Sequence, residues 1–198
     1  MRKFSYITFL ILLLSVTQNI VSGQSSFGMN FGAVAGSNGN IIQDTVNNDV
    51  IFRNGYQIGV LGNFGTYSFF VSPGIYFKDF TIKKDFDKIN PFERSPRIKL
   101  TKAKVVLGYQ TNLFTRKIKL KFGGGMNGNY IINISDNDEG YNFDSLQDTY
   151  WGYNIDMGLD FFSLTFNISY EKTVKEVLSI NDKRSKLDFI ILSAGIMF

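Results

Sequence analysis

Residues 149–161, TYWGYNIDMGLDF, alternate between two kinds of side chain along their whole length. One set is apolar, and the other is polar or small. The apolar set is Trp151, Tyr153, Ile155, Met157 and Leu159, and the second set is Tyr150, Gly152, Asn154, Asp156, Gly158 and Asp160. Because successive side chains of a β-strand point to opposite faces, this period of two predicts a strand with one apolar face.

The same alternation recurs in seven further segments of the chain. It is clear at 117–130 and 163–171, and weaker at about 26–36, 53–62, 67–78, 99–111 and 187–198. The composition agrees, since glycine (19), phenylalanine (20) and tyrosine (10) are abundant while proline (3) is scarce. Pro73 weakens the third segment, because proline cannot donate a hydrogen bond to a neighbouring strand. The sequence therefore predicts eight strands.

The connections between these segments alternate between short and long. Short gaps fall at about 63–66, 112–116 and 161–162, and long polar ones at about 37–52, 79–98, 131–148 and 175–186. Soluble sandwiches and lipocalin-like barrels also contain alternating strands, but short turns that alternate with long loops are typical of outer-membrane barrels. We therefore predict an all-β fold, an eight-stranded antiparallel up-and-down transmembrane β-barrel. Both termini would be periplasmic and the long loops extracellular.

Aromatic residues of the apolar face gather near the predicted strand ends. Those near the long loops are Tyr56, Phe77, Trp151, Tyr153 and Tyr170, and those near the short turns are Phe27, Tyr67 and Phe198. Two aromatic belts around an aliphatic middle match the two interfaces of a bilayer. The alternative interpretation makes these rings the core of a soluble sandwich.

The N-terminal segment has the three parts of a secretory signal peptide. Arg2 and Lys3 precede an apolar run that ends near Val16, and a small residue, Gly23, closes the segment. The run is shorter than the ~20 apolar residues of a membrane-spanning helix, which makes an uncleaved anchor the weaker alternative. We predict a cleaved signal peptide at 1–23 and a barrel domain at 24–198.

The last predicted strand resembles the insertion signal of bacterial outer-membrane proteins. Its alternate positions are Ile190, Leu192, Ala194, Ile196 and Phe198, the final residue of the given sequence. The resemblance implies that the barrel-assembly machinery reads this strand during insertion.

A second resemblance covers most of residues 24–198. Its glycine-aromatic blocks are FGMNFGAVAGSN, NGYQIGVLGNF, YSFFVSPGIYFKDF, KVVLGYQTNLF, IKLKFGGGMNGNYII and GYNIDMGLDFFSLTFNISYEKTV. In this order they are similar to the strands of the PorT-like outer-membrane β-barrel family of Bacteroidota. The namesake of that family belongs to the type IX secretion and gliding apparatus, and many other members have no assigned role. Lys102 and Lys104 depart from the mostly neutral fourth strand of the family.

Charged residues occupy the predicted inward face of four strands. These are Lys102, Lys104, Lys119, Lys121, Asp156, Asp160 and Glu171, with Gln110, Asn154 and Asn167 among them. Eight strands enclose an interior only wide enough for side chains, and buried charges must be paired. A plugging salt-bridge network is therefore the first interpretation, and a narrow charged pathway for ions or small solutes is the alternative.

Histidine and cysteine are both absent from the chain, which narrows the possible chemistry. Small membrane-barrel hydrolases use a histidine beside a serine or an acidic residue, so we predict no catalytic site. We also predict no cofactor and no metal site. Asp136 and Asp138 resemble part of a calcium loop, but the later bidentate glutamate is missing.

The remaining expectations concern partners. A net charge of +4 gives no reason to expect nucleic acid. The basic stretch 78–104 is either a solvated loop or a contact for lipid phosphates. The sequence thus predicts a non-enzymatic outer-membrane barrel that contacts lipids and serves as a scaffold or accessory subunit of an envelope complex. The alternative is a narrow channel or a ligand-binding barrel.

Overall fold

Each long strand pairs antiparallel with the next one along the chain. The computed structural model describes residues 24–39, 53–66, 68–81, 96–113, 117–138, 142–143, 146–175, 177–180 and 183–198. The strands are β1 (Gln24–Gly39), β2 (Arg53–Gly65), β3 (Phe69–Thr81), β4 (Arg97–Asn112), β5 (Ile118–Ile134), β6 (Thr149–Phe161), β7 (Leu164–Thr173), β8 (Leu178–Ile180) and β9 (Lys183–Met197). The predicted signal peptide lies outside the described residues.

The first and last strands close the sheet into a barrel. The β1–β9 pairing runs from Gly28 opposite Met197 to Gly39 opposite Lys186. Phe27 and Phe198 extend this seam with two backbone hydrogen bonds, of 3.2 and 2.7 Å. Eight strands form the closed wall in the order β1 to β7 and then β9. The predicted eight-stranded antiparallel barrel is confirmed.

One strand of the structure was not predicted. The connection at about 175–186 was expected to be a loop, but β8 pairs with the first residues of β9, Leu178 opposite Ser185. The last strand accordingly begins at Lys183 instead of 187. The segment is rich in lysine and has few apolar residues at alternate positions. Its hairpin therefore gave no signal with a period of two.

The two ends of the barrel differ in the length of their connections. At the end that we call the short-turn end, β2–β3, β4–β5 and β6–β7 are joined by residues 66–68, 113–117 and 162–163. At the opposite, long-loop end, the intervals between the strands of the wall are longer, as predicted, and the last of them contains β8. Within the part of the chain that the structure describes, no helix is long and apolar enough to cross a membrane.

The barrel is apolar outside, and the middle of its interior is polar. Leu107, Met126 and Ile155 on the outer face are each 60–62% exposed, whereas Lys102 and Asn154 on the inner face are at most 2% exposed. A water-soluble domain buries its large apolar side chains instead. The period of two in the sequence therefore corresponds to the alternation between an apolar outer face and an inner face that is polar in the middle of the barrel.

Pro73 marks an interruption in the wall, in line with the weakness seen in the sequence. The β2–β3 pairing runs to Leu61 opposite Gly74 and resumes at Phe64 opposite Val71. In the gap, the Ser72 hydroxyl donates a 2.9 Å hydrogen bond to the carbonyl of Gly62. A side chain thus supplies a donor where proline leaves the ladder incomplete.

Two neighbouring glycines of β5 have opposite surroundings, which gives a matched test of the wall. A Cβ added to Gly125 would overlap the Val105 carbonyl oxygen, whereas one added to Gly124 would meet nothing closer than 3.6 Å. Because backbone atoms cannot move aside, we expect Gly125→Ala to lower the free energy of unfolding by about 1–3 kcal/mol. Gly124→Ala should change it by less than about 0.5 kcal/mol. Urea titration of the two refolded variants in detergent measures both, and equal midpoints would contradict the prediction.

Candidate functional site

A network of buried charges crosses the middle of the barrel interior, and we call it the luminal network. Its centre is the carboxylate of Glu171 on β7. Lys102 Nζ lies 2.6 Å from Glu171 Oε1, and Lys78 Nζ lies 3.3 Å from Oε2. Lys102 also donates a 2.8 Å hydrogen bond to Gln57 Oε1. One carboxylate therefore holds two fully buried ammonium groups.

The network continues from Glu171 toward the short-turn end. Lys104 Nζ lies 3.7 Å from Glu171 Oε1 and 2.5 Å from Asp156 Oδ1, and it donates to the Ser169 hydroxyl at 3.1 Å. Asp156 also accepts hydrogen bonds from Ser169 and from the amide of Asn154. The Asp156 carboxylate is thus held by one ammonium group and two neutral donors.

A separate pair lies nearer the short turns. Lys121 Nζ is 2.8 Å from Asp160 Oδ1. Both residues belong to the inward faces of neighbouring strands, β5 and β6, where Lys121 is in register with Gly158. A Cβ added to this glycine would overlap the side-chain oxygen of Asn167, whereas it would be in ordinary contact with the Lys121 Cε at 3.5 Å.

Strand register explains why the lysines meet carboxylates across the lumen. Lys102 and Lys104 are two residues apart on β4, so both face inward. Glu171 lies on β7, three strands away, and its neighbour on β6 is Asn154. The lysines therefore extend across the interior. In a barrel of eight strands this distance is short enough for one side chain to span.

The long-loop half of the interior is apolar, which the sequence analysis did not predict. Phe80, Ile98 and Leu100 lie on the inward face, together with residues from the connections at that end. The cluster consists of Val34, Phe80, Ile98, Leu100, Ile131, Leu146, Tyr150, Val177, Leu187, Phe189 and Ile191. Lys78 Nζ joins it to the luminal network, 3.3 Å from the centre of the Phe189 ring.

The side chains leave little free space between these layers. A cavity of about 50 Å³ lies beside Lys104, Asp156 and Lys121. Such a volume accommodates a few water molecules at most. Among the described residues, no three histidine, cysteine, aspartate or glutamate side chains are grouped to hold a metal ion.

Two members of the luminal network were missed from the sequence. Lys78, the last residue of the predicted segment 67–78, was considered only as part of the basic stretch 78–104, but it faces inward from β3, two residues after the inward-facing Tyr76. Gln57 was not singled out, although it alternates with Tyr56 and Ile58 on the outer face. Both residues lie at inward positions of predicted segments, 53–62 and 67–78, so the alternation within those segments already indicated their orientation.

The remaining cations of the basic stretch 78–104 are divided between two locations. Lys102 and Lys104 lie inside the barrel, whereas Arg97 and Lys99 are exposed at the long-loop end of β4. Arg97 Nε lies 2.7 Å from Asp79 Oδ1, a carboxylate on the outer face that is only 2% exposed. The lysines and arginine at 83, 84, 88 and 94 lie outside the described residues.

The predicted belt residues lie on the outer face where the structure describes them. Tyr56, Trp151, Tyr153 and Tyr170 are exposed and Phe77 is half-buried, while Tyr67 lies outside the described residues. Tyr56 and Tyr170 donate hydrogen bonds to Asp79 and Asp188, at 3.4 and 3.1 Å. Tyr56 and Tyr170 are therefore each anchored by a carboxylate near the long loops. The proposed insertion-signal residues Ile190, Leu192, Ala194, Ile196 and Phe198 are also exposed on the outer face, along and just after β9.

No family model matches the chain, and no curated protein matches its sequence. Solved structures with a similar fold include Neisserial surface protein A, at 11% identity and a TM-score of 0.52, with 87% of this chain and 95% of that protein covered. They also include Ail of Yersinia pestis with the heparin analogue sucrose octasulfate, at 14% identity, 88% and 97% coverage and a TM-score of 0.43. Ail in a phospholipid bilayer nanodisc gives 13% identity, 88% and 100% coverage and a TM-score of 0.39. This chain is thus an eight-stranded antiparallel β-barrel with the fold of Neisserial surface protein A.

Proposed function

We propose that this protein is a non-enzymatic integral outer-membrane β-barrel that acts as a scaffold or accessory subunit of an envelope complex. The observation that carries the proposal is the filled interior. The luminal network occupies the middle of the barrel, the apolar cluster occupies the long-loop half, and the cavity beside them measures about 50 Å³. A barrel packed in this way acts through its surfaces, not through a pore.

The outer surface supports the membrane location. Its exposed apolar side chains form a band around the wall, and the eight long strands have 10–17 residues, enough for the ~9–11 that a tilted transmembrane strand needs. The alternation of short turns and long intervals supports periplasmic short turns and extracellular long loops. The barrel-assembly machinery would then insert the chain.

The resemblance to the PorT-like family supports a secretion-related complex as the partner. Its namesake belongs to a secretion and gliding apparatus, and the glycine-aromatic blocks of this chain follow the same order. A secretion-related complex of a Bacteroidota envelope is therefore the partner that we propose.

Recovery of partners tests the proposal directly. We expect tagged protein, extracted in mild detergent from the membranes of its own cells, to carry envelope proteins in fixed stoichiometry. The control is the same barrel refolded from inclusion bodies, added to identical extract, which measures adventitious association. Mass spectrometry identifies the partners, and planar-bilayer recordings of the refolded barrel complete the test. Recovery of the barrel alone, together with steady single-channel conductance, would overturn the proposal in favour of a channel.

A further inference from the structure

On its outer face, β4 changes from apolar to cationic toward the long-loop end, and nothing in the proposed function uses this change. Its outward side chains are apolar from Leu107 to Ala103 and polar from Thr101 to Arg97, with Lys99 between the last two. The strands of a membrane barrel carry apolar residues within the hydrocarbon region and polar ones beyond it. In the proposed membrane, Arg97 and Lys99 therefore lie at the level of the lipid head groups of the outer leaflet.

Aromatic side chains mark the same boundary on the two neighbouring strands. Thr101 is in register with Phe77 on β3 and with Tyr130 on β5, and Tyr130 is exposed on the outer face. Aromatic rings of membrane barrels gather at the interface between hydrocarbon and water. Both cations follow Thr101 toward the long loops, so they lie just beyond that interface.

The cations of this surface outnumber its carboxylates. Within the described part of the chain, Asp79 is the only acidic residue in an ion pair with them, and Arg97 Nε lies 2.7 Å from its Oδ1. Lys99 is directly opposite Asp79 in the sheet but forms no ion pair with any described residue. The Arg97 contact engages Nε alone, and the side chain stays 52% exposed. One ammonium group and the terminal nitrogens of one guanidinium are therefore open to an anion from outside.

The spacing of these groups and the donors beside them suit a phosphate. Arg97 and Lys99 are two residues apart on one face of a strand, so their Cα atoms are about 7 Å apart. A guanidinium binds two phosphate oxygens at once, and an ammonium group binds as a point charge. Thr101 and Asn133, which is opposite Lys99 on β5, are exposed beside them and add a hydroxyl and an amide. A phosphate monoester has three acceptor oxygens for these donors, whereas a carboxylate has two.

The outer surface directly below the cations is low and apolar, which fits an acyl chain. Ala103 on β4 is opposite Gly128 on β5, so the outward side chains of the wall are small there. Ile75 and Trp151, both 60% exposed, lie on the two sides, in register with Ala103 and Gly128 respectively. The ring of Trp151 lies against Gly128. A lipid whose phosphate meets Lys99 would thus lay a hydrocarbon chain over Ala103, beside the indole of Trp151.

We propose that this surface binds the phosphate group of an outer-leaflet lipid. We call it the head-group patch and define it by Arg97, Lys99, Thr101 and Asn133. The two cations attract the phosphate, the hydroxyl and the amide donate hydrogen bonds to it, and one acyl chain lies over Ala103. The patch rests on the membrane location in the proposed function, but not on the proposed role in an envelope complex.

Quenching of tryptophan fluorescence by brominated lipids tests the proposal. Trp151 is the only tryptophan of the chain, so its fluorescence reports the lipid beside the patch. The barrel is refolded into phosphatidylcholine vesicles that contain dibrominated phosphatidic acid or, for comparison, dibrominated phosphatidylcholine. We expect phosphatidic acid to occupy the place beside Trp151 about fivefold more readily, because one uncompensated basic residue favours an anionic lipid by about that factor. Raising sodium chloride should reduce the difference. Equal quenching by the two lipids would overturn the proposal.

Substitutions of Lys99 locate the preference. Lys99→Met removes the uncompensated charge and should bring the preference for phosphatidic acid close to one, and Lys99→Glu should reverse it. Lys117→Met makes the same change at an exposed position of the short-turn end and should keep the preference. Heat-modifiable migration in gels identifies the variants that fold, and the comparison of lipids on the unmodified barrel stands if one does not. An unchanged preference in Lys99→Met would contradict the patch.

Two further probes separate a lipid phosphate from other anions. Dibromostearate carries a carboxylate on a similar chain and should quench less than phosphatidic acid. Equal quenching would show that the surface responds to charge and not to phosphate. Inorganic phosphate in the buffer should leave the preference intact when ionic strength is held constant, and loss of the preference would assign the surface to free phosphate, against the proposal.

The outcomes also separate this proposal from the proposed function. Quenching by none of the brominated lipids would contradict the membrane location and the patch together. Quenching by both phospholipids without a preference would contradict the patch alone, and the recovery of envelope partners would be unaffected.

Discussion

Replacing Glu171 with glutamine should lower the free energy of unfolding by about 3–5 kcal/mol, the largest effect that we expect from one substitution in this protein. Glu171 forms ion pairs with two fully buried ammonium groups, those of Lys78 and Lys102, and lies 3.7 Å from a third, Lys104. The amide removes the negative charge but retains the volume. The lysines are then left with uncompensated charge in an interior that has little room for water.

Urea titration of the refolded variant, followed by tryptophan fluorescence, measures this loss. Asp136→Asn, which makes the same chemical change at an exposed position, should leave the urea midpoint unchanged. The combined variant Lys78→Met, Lys102→Met and Glu171→Leu should recover most of the stability, because apolar replacement of a buried ion triad is often neutral and Lys104 keeps its ion pair with Asp156. A Glu171→Gln barrel with the parental midpoint would show that the lysines do not depend on this carboxylate.

The second large effect concerns the outer surface. Ile155 is 62% exposed at the centre of β6, so in the proposed membrane its side chain lies near the bilayer midplane. We expect Ile155→Lys to make folding into phospholipid vesicles less favourable by about 2–4 kcal/mol. An exposed isoleucine in water would instead tolerate the change, or benefit from it.

A lysine on the same face of the same strand supplies the control. Thr149 is the exposed first residue of β6, at the long-loop end. Thr149→Lys should make folding less favourable by only about 0–1 kcal/mol, since the interface between membrane and water solvates an ammonium group. Equilibrium folding into vesicles across a denaturant series compares the two. Similar losses for both variants would contradict the proposed depth of Ile155.

Alternation along single strands predicted the wall but only part of the interior. The period of two in 149–161 was sufficient to predict a strand of the wall, because each of its residues faces either the outside of the barrel or the lumen. It also indicated that Lys102 and Asp156 face inward, where the structure brings them to Glu171 and Lys104. Which lysine meets which carboxylate depends on strands far apart in sequence. No local pattern encodes that pairing.

The apolar cluster shows a second limit. Ile98 and Leu100 precede Lys102 and Lys104 on the same inward face, so β4 changes from apolar to charged within one face. A period of two distinguishes the outer face of a strand from its inner face, but it does not distinguish one end of the inner face from the other. The change from apolar to charged residues along β4 therefore gave no signal in the sequence. Leu146 and Val177 reach the cluster from the connections, where no period exists. The filling of the long-loop half therefore required the structure.

The seam between β1 and β9 affects how the barrel can fold. Its partners are far apart in the sequence, so their contact closes the longest loop between any two neighbouring strands of the wall. It therefore costs the most chain entropy. The neighbouring hairpins involve much shorter loops and can form before it. We therefore expect the seam to close late and folding to be slow, since non-local contacts form slowly. Until that event occurs, both seam strands present unpaired edges, and any chaperone that escorts the chain must shield them.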